Sequence, residues 1–449
     1  MSVTISIKRE FELIGNDEEN DPCLFPRDTS SHVFVQAFNF RTKLIAKSQT
    51  NYLGFPYIIK IGTSLVGIYS DGESHANSDK QIMIRSDDNG LTWSSVDFYI
   101  NSTGAYNFSL LTDIVSSGSK VVFKNWTVTN TSGTFSATIQ SSVINGGDTY
   151  FIWSKPVNYS GTLYRTGYTG ILPTKTALLQ SVDNGSTWTF KTDIFSVVGL
   201  YFTEADIVNT NGNNWIAICR TDDPLASVNN NLLYWSISNN NGTTWSTPEL
   251  LPTSKINGRQ PNITKLSNAD IIISSGDRSG TSGYAGNGEA LSFLGDTTGV
   301  TVTKLPSPTN CVTNPLSTTA IGTAKIRLTL VGHGYETDDL IFIENATGPI
   351  GGIPVSEING FRTVTRISSN VVEFNTTTTA TSVTTGGGSG VTASKLGWRT
   401  RISPMYSTDG GQPFVNEINS ERVNAVFYAR KTNRTKAVIS SSTLDTQNL

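Results

Sequence analysis

Short runs of apolar or alternating residues, separated by turn-forming residues, make up most of the chain. Residues 81–84 (QIMI) and 176–179 (TALL) are examples, and a segment rich in Ser, Asp, Asn and Gly follows each. Runs of this length predict β-strands joined by tight turns. No stretch approaches the 18 apolar residues that a membrane-spanning helix needs. We therefore expect an all-β fold that does not insert into a membrane.

One octet, S-x-D-x-G-x-T-W, recurs along the chain. It occurs at 86–93 (SDDNGLTW), at 181–188 (SVDNGSTW) and, with Asn for Asp, at 238–245 (SNNNGTTW). A fourth copy at 407–414 (STDGGQPF) ends in Phe. We expect the Asp or Asn to accept hydrogen bonds within the turn, the Gly to adopt positive φ and the Trp to fill the core. The octet is therefore interpreted as a structural hairpin and not as a catalytic motif.

The spacing of the octets gives the number of repeats. A four-stranded unit takes about 40 to 50 residues. The first interval between octets then leaves room for one degenerate unit near residues 131–142. The last interval leaves room for another unit that ends near Asp296, plus an insertion. The total is six units, which predicts a six-bladed β-propeller.

An insertion is predicted at residues 320–393. It alternates apolar and polar residues and closes in the low-complexity run TTTTATSVTTGGGSGV, so we interpret it as a small separate β-domain. Residues 1–50 precede the first blade and serve as an adaptor or close the ring; the sequence does not choose between the two. The remaining predicted parts are the blades at 51–319 and a last blade with the C-terminal tail at 394–449.

Composition excludes several classes of function. The 33 Lys and Arg against 36 Asp and Glu give a net charge of −3, so no basic surface is expected to bind nucleic acid. The three cysteines and three histidines offer neither a disulfide framework nor a metal-ligand cluster, and we expect no metal and no cofactor. The N-terminus lacks the apolar region of a signal peptide, which predicts a soluble chain with no visible export signal.

With this spacing the octets resemble the Asp boxes of sialidase-like six-bladed β-propellers. The resemblance spans roughly residues 53–433 apart from the insertion. The insertion, through its H-G-Y, D-D-L-I-F-I and N-G-x-x-x-V-T segments, is similar to small β-modules of bacteriophage tail proteins. The resemblance implies a sialidase-like propeller with a small inserted β-domain, located in a phage virion. A secreted bacterial protein is the alternative setting.

The sialidase resemblance also implies site residues. In that family three arginines bind the substrate carboxylate, a Tyr assisted by a Glu is the nucleophile and an Asp is the acid/base, all at the starts of innermost strands. Glu204 and Arg220, in FTEADIV and AICR, match the family's Glu and second Arg. Arg259, two places before Pro261, is the candidate for a further carboxylate-binding arginine, with Arg278 as its substitute.

The first blade departs from the family's pattern. Its equivalent of F-R-I-P is LGFP at residues 53–56, where Gly54 occupies the place of the arginine. Downstream, in SDGESHANSDK, Asp79 stands near the family's acid/base Asp, and His75 is the alternative proton carrier. A complete clamp of three arginines is therefore not expected.

Each of these assignments has a structural alternative. Glu204 and Arg220 also fit an ion pair between neighbouring strands, and Arg259 fits a salt bridge at the rim. Asp79 and His75 also fit solvated turn residues. The nucleophile stays open. Tyr406 and Tyr284 are its nearby options. Trp126, Tyr164 and Tyr168 would stack on sugar rings if exposed, and the alternative for each is packing between blades.

Three functions are left open by the sequence. The first is a phage tail protein that recognises and hydrolyses acidic, sialic-acid-like glycans of the host surface, as phage endosialidases do. The second is a glycan-binding propeller without catalysis, which Gly54 favours. The third is a structural virion propeller whose face is buried against a neighbouring tail subunit. A charge-lined open site would favour the first two, and an apolar closed face the third.

Overall fold

The computed structural model of the chain consists almost entirely of β-strands and turns. It divides into two compact units: unit 1 is Met1–Ser267, Ile272–Val302 and Arg399–Leu449, and unit 2 is Asn268–Ile271 and Thr303–Trp398. Unit 2 extends beyond the predicted 320–393 on both sides. The structure describes residues 11–16, 22–26, 41–48, 50–73, 78–222, 232–252, 258–277, 299–397, 400–401, 407–431 and 438–446.

Unit 1 contains six antiparallel sheets of three or more strands among its described residues, numbered here in chain order. Sheet 1 is Tyr52–Ile61, Ser64–Gly72, Lys80–Ser86 and Ser94–Ile100, and sheet 2 is Lys120–Phe123, Trp126–Thr131 and Thr134–Ile139. Sheet 3 is Ser142–Asn145, Asp148–Ile152, Val157–Tyr159, Thr162–Thr169, Thr176–Ser181 and Thr189–Phe195. Sheet 4 is Phe202–Asn211, Asn214–Thr221, Leu233–Ser238 and Glu249–Leu250. Sheet 5 is Arg259–Lys265, Ile271–Asp277, Gly299–Leu305 and Thr400–Arg401, and sheet 6 is Ser407–Asn419, Arg422–Lys431, Val438–Asp445 and Arg41–Ala46.

One strand from each of five of these sheets packs against a strand of the next sheet. Phe202–Asn211 packs against Thr162–Thr169 on one side and Arg259–Lys265 on the other. Arg259–Lys265 also packs against Ser407–Asn419, which in turn packs against Tyr52–Ile61. Antiparallel sheets arranged radially in this way form a β-propeller. The predicted all-β propeller is confirmed, and the count of six blades stays a prediction, with which the six described sheets agree.

Buried amides join the inner strands to one another. The side-chain oxygen of Asn262 accepts the backbone N–H of Val415 at 2.9 Å, and the Asn416 amide donates to the Ile58 carbonyl at 3.2 Å. Asn262 also donates to the Asp206 carboxylate. Because buried polar groups cost free energy when they are unpaired, these contacts fix the position of each inner strand against the next.

The first strand of sheet 6 in chain order comes from the N-terminal region. Arg41–Ala46 pairs in antiparallel register with Val438–Asp445, so the two ends of the chain meet in one sheet. The earlier hairpin, Phe11–Asn16 with Pro22–Pro26, pairs only with itself among the described residues. Of the two roles considered for residues 1–50, this pairing supports ring closure for Arg41–Ala46.

The first three octets form the turns expected from the sequence. The carboxylate of Asp88, the carboxylate of Asp183 and the side-chain oxygen of Asn240 each accept a backbone N–H four residues on, at 2.8 to 2.9 Å. In each octet the first Ser accepts the N–H of the Gly, and the three glycines have φ of 88°, 82° and 70°. The tryptophans at the octet ends pack on their cores, and Trp188 is buried.

The fourth octet is a wrong prediction. Residues 407–414 belong to the long strand Ser407–Asn419 and not to a turn between two strands. The segment Gly411-Gln412-Pro413 instead resembles Arg259-Gln260-Pro261 at the start of another inner strand. The short similarity of this segment to the octet led to a wrong prediction of a turn, where the structure has a strand with a bulge near its start. The eroded turn predicted near Asp296 lies outside the described residues.

Unit 2 has its own core of aliphatic and aromatic side chains, among them Leu316, Ile326, Ile341 and Phe374. It also contains a 3₁₀ helix, Val355–Glu357. The first sheet of unit 2 consists of Thr309–Asn310, Thr392–Lys395, Leu340–Glu344 and Gly360–Thr363. The second consists of Thr365–Ser368, Val371–Asn375, Lys325–Thr329, Leu316–Ser317 and Thr385–Gly386.

No helix of membrane-spanning length and apolarity occurs within the described part of the chain.

Candidate functional site

Three inner strands share a bent backbone near their first residues. Phe55, Gln260 and Gln412 each precede a proline and have positive φ values of 53°, 50° and 45°. Positive φ costs a non-glycine residue about 1–3 kcal/mol, and such conformations concentrate at functional sites. The repeated bend therefore makes this end of the inner strands a candidate location for a functional site.

Glu204 and Arg220 form a buried ion pair at this end of sheet 4. The ladder between Phe202–Asn211 and Asn214–Thr221 is irregular between Phe202 and Ala205, which brings Glu204 opposite Arg220. Oε2 of Glu204 contacts Nε of Arg220, and the side chains are 8% and 9% exposed. Nη2 of Arg220 also donates to the Asp222 carboxylate at 2.7 Å. The sequence match therefore corresponds to a real contact, as both the functional and the structural interpretation require.

Side chains from sheets 3 and 5 surround this ion pair. Gln260 donates from Nε2 to Oε1 of Glu204 at 3.5 Å, and the half-buried Arg259 beside it attracts the Glu204 charge. Tyr168, at the end of its strand in sheet 3, interacts electrostatically with Glu204, Arg220 and Asp222. We call this set, Glu204, Arg220, Asp222, Arg259, Gln260 and Tyr168, the Glu204 site.

Burial shifts the pKa values of two groups in the Glu204 site. It raises the pKa of Glu204, and the neighbouring Arg220 guanidinium opposes that shift. Burial also raises the pKa of Tyr168 well above its usual value, and the Glu204 charge adds to the effect. A carboxyl with a raised pKa is suited to donate a proton, whereas a tyrosine with a raised pKa stays a neutral hydrogen-bond donor.

A second polar group lies further along the same strand. The Asp206 carboxylate accepts the N–H groups of Ile207 at 2.9 Å and Ile263 at 3.0 Å. Burial raises its pKa to about 6, and Lys155 opposes the shift. Burial likewise lowers the pKa of Lys155 to about 8. This network connects sheets 3, 4 and 5 behind the Glu204 site.

Aromatic side chains surround the position where the family has its first arginine. A Cβ at Gly54 would lie 2.9 Å from the Tyr52 ring. The ring centroid of Tyr428 is 6.2 Å from that of Tyr52 and 5.9 Å from that of Phe55. The Lys124 ammonium lies 5.8 Å from the Phe55 centroid, and burial lowers its pKa to about 8. An aromatic cluster with one lysine therefore occupies the position at which the family has its first arginine.

Asp79 is not joined to this site by any contact among the described residues. It is exposed, its N–H donates to the Asp71 carbonyl at 3.1 Å, and its carbonyl accepts from Asn101 at 3.2 Å. These are the contacts of a turn residue. His75 and Arg278, together with the tyrosines 406 and 284, lie outside the described residues.

Two of the three aromatic residues considered for sugar stacking are packed in the interior. Trp126 and Tyr164 are each only 5% exposed, which fits the packed alternative and not sugar stacking. Tyr168 is half-buried and belongs to the Glu204 site. Gln260 and Asp222 were missed by the sequence analysis, although the repeated Gln-Pro of residues 260–261 and 412–413 was a visible signal.

Within the described residues, no group of three or more His, Cys, Asp or Glu side chains is placed to hold a metal ion. The Glu204 site consists of one buried carboxyl, two guanidinium groups, a second carboxylate, an amide and a phenol. Such a set suits the recognition of a polar anionic group, because guanidinium N–H groups pair with carboxylate or phosphate oxygens.

No protein-family model and no curated protein matches the chain. Among solved structures it is similar to a protein of unknown function from Dyadobacter fermentans, with 12% identity and a TM-score of 0.55 over 90% of this chain and 99% of that one. A weaker similarity is to NanB sialidase from Streptococcus pneumoniae, with 11% identity and a TM-score of 0.42 over 94% of this chain and 72% of that one. A thermostable family-43 glycoside hydrolase has 10% identity and a TM-score of 0.36 over 87% of this chain and 88% of that one. The first similarity supports the fold alone, and the weaker two support no conclusion.

Proposed function

We propose that the chain is a sialidase-like propeller that binds acidic, sialic-acid-like glycans of a cell surface at the Glu204 site. The observation that carries this proposal is that two guanidinium groups act on the buried Glu204 carboxyl, Arg220 by direct contact and Arg259 through its charge. Guanidinium groups bind carboxylates with geometry that a lysine does not match. The charge-lined character of the site favours glycan recognition over a purely structural role.

Hydrolysis of the bound glycan is the second candidate activity. The raised pKa of Glu204 and the nearby Tyr168 phenol favour it, because together they supply a proton donor and a second polar group. The glycine at position 54 favours binding without catalysis, since the site then has fewer cations for the substrate carboxylate. Glycan recognition is therefore the proposed activity, and an assay for released sugar decides on catalysis.

The proposed setting is a phage virion, with tail subunits as further partners. The resemblance of the inserted domain to small β-modules of phage tail proteins supports it, and an extracellular protein is the alternative. Mass spectrometry of purified phage particles tests the setting. Detection of this chain's peptides in the particles supports a virion protein, and their restriction to the culture medium contradicts it.

Incubation with polysialic acid and a panel of acidic and neutral glycans tests the function. Binding is measured by calorimetry and released sugar by mass spectrometry for wild type, Glu204→Gln and, as a matched control at an exposed carboxylate of unit 2, Glu336→Gln. We expect wild type and the control to bind acidic glycans. If the site is catalytic, Glu204→Gln loses product formation by about a hundredfold or more.

Glu204→Gln leaves a buried guanidinium without its carboxylate, which destabilises the fold. Arg259→Met, at a half-buried position, is therefore tested in parallel, and thermal melts establish that each variant is folded. Wild-type protein that neither binds nor cleaves any acidic glycan would contradict the proposed function.

A further inference from the structure

A cavity extends from the Asp206 network, behind the Glu204 site, toward the other ends of the inner strands. Arg259 begins its strand at the Glu204 site, whereas Lys265 ends that strand and lines the cavity. Six residues of extended chain separate the two positions, which corresponds to about 20 Å. The cavity has a volume of about 710 Å³ and is lined by residues of sheets 1 to 6. We call it the lysine cavity.

Four lysines, at positions 60, 120, 155 and 265, line this cavity. Each donates to neutral oxygens. Lys60 donates to the Ile418 carbonyl at 3.1 Å, Lys120 to the Asp183 carbonyl at 3.2 Å, Lys155 to the Val415 carbonyl at 2.7 Å, and Lys265 to the Thr210 carbonyl. Among the residues that the structure describes, no carboxylate lies within ion-pair distance of these four ammonium groups.

Asp206 is the one carboxylate among the lining residues. Its oxygens already accept the Ile207 N–H, the Ile263 N–H and the Asn262 amide. Lys155 offsets its charge through space. The Asp183 carboxylate, just outside the lining, attracts Lys120. The lining itself has four ammonium groups and one carboxylate, which makes the cavity electropositive.

The rest of the lining supplies neutral donors and an apolar wall. Asn158, Asn209 and Asn416 line the cavity with amide groups, whereas Ile61 and Val208 contribute apolar surface to it. A volume of this size is typical of sites for small organic molecules. The lining therefore suits a ligand with a carbon body and a strongly anionic group.

We propose that the lysine cavity binds a small phosphate-bearing organic molecule of about the size of a sugar phosphate. Lysine ammonium groups bind phosphate as point charges, and a dianion balances more of the excess positive charge than a carboxylate does. The lowered pKa of Lys155 agrees with this assignment, because a buried ammonium without a contacting counter-ion is destabilised until an anion binds. The inference does not depend on the proposed glycan binding at the Glu204 site.

Isothermal titration calorimetry on the full chain at constant ionic strength tests the proposal. The probes are glucose 6-phosphate, glucose and inorganic phosphate. We expect glucose 6-phosphate to bind, inorganic phosphate to bind more weakly and glucose to give no heat. Lys265→Gln and Lys120→Gln are each expected to weaken binding of glucose 6-phosphate by about tenfold or more.

Lys80→Gln is the matched control, because Lys80 pairs with Asp71 and Asp97 in sheet 1 and does not line the cavity. Its affinity should equal that of wild type. Absence of binding by wild type, or equal affinity in Lys265→Gln and Lys80→Gln, would overturn the proposal. Loss of binding in Arg259→Met, with Lys265→Gln unaffected, would place the ligand at the Glu204 site and also overturn it.

Discussion

Glu204 and Arg220 form a buried ion pair whose geometry is fixed by neighbouring polar groups. Removing a buried charged pair from water costs free energy, which the mutual attraction and added hydrogen bonds must offset. Arg220 gains a second carboxylate in Asp222, and Glu204 gains the amide of Gln260. The pair is therefore held in one geometry before any ligand arrives, with Arg259 beside it as the more accessible cation.

Asp206 makes the stability of the fold depend on pH. Its pKa is about 6 in the folded protein against an ordinary value of 3.8, so between these values the folded state binds more protons than the unfolded state. The free energy of unfolding therefore falls as pH rises from about 4 to about 6, by roughly 3 kcal/mol from this group.

The comparison of wild type with Asp206→Asn isolates this effect, because Glu204 and the other carboxyls titrate in both proteins. Chemical denaturation at intervals from pH 4 to pH 7 measures it. We expect the variant to be less stable and to show a flatter pH dependence, since in either orientation its amide NH₂ faces a donor, the Ile207 N–H or those of Asn262 and Ile263. Parallel curves for the two proteins would contradict the account.

At the scale of elements, the octet turns were predictable because the hydrogen bonds that shape them are local. The bonds from the first Ser and from the Asp span two to four residues, so the sequence alone defines the turn. The bends at Phe55, Gln260 and Gln412 depend instead on packing between inner strands, and no local pattern distinguishes Gly411 in a bulge from a turn glycine. This difference explains why the fourth octet was assigned wrongly.

The second octet offers a test of this local account. The hydrogen bonds from Thr187 and Ser181 lower the pKa of Asp183 to about 2, although burial acts in the opposite direction. Asp183→Ala is expected to cost about 1–2 kcal/mol of stability, because the turn loses its acceptor. Asp183→Asn should cost much less, since Asn240 makes the equivalent bonds in the third octet. Equal losses for the two variants, measured by denaturation, would show that the charge itself is required.

Truncation tests the closure of sheet 6 by Arg41–Ala46. Deleting residues 1–46 removes this strand and leaves Val438–Asp445 with an unpaired edge, which favours aggregation. We expect that protein to melt at a markedly lower temperature and to self-associate. Deleting residues 1–40 is the matched control and should leave the melting temperature nearly unchanged. The same loss in both truncated proteins would assign the stabilisation to the segment before Arg41.

At the scale of the whole molecule, the sequence was enough to predict the all-β propeller, because repeat spacing and strand periodicity survive without close relatives. Glu204, Arg220 and Arg259 were found through a family pattern, and the structure places them together. Tyr168 was not assigned to that set, because its strand lies in a different sheet and only the folded chain brings it near. The lysine cavity was invisible for the same reason, since its lysines come from four sheets.

The most direct measurement is the affinity of wild type, Arg259→Met and Arg422→Met for a sialic-acid oligomer, determined by calorimetry at one salt concentration. Arg422 is an exposed arginine paired with Asp445 and serves as the matched control. The account predicts binding by wild type, equal binding by Arg422→Met and a loss of about tenfold or more in Arg259→Met. No binding by wild type, or the same affinity in all three proteins, would contradict it.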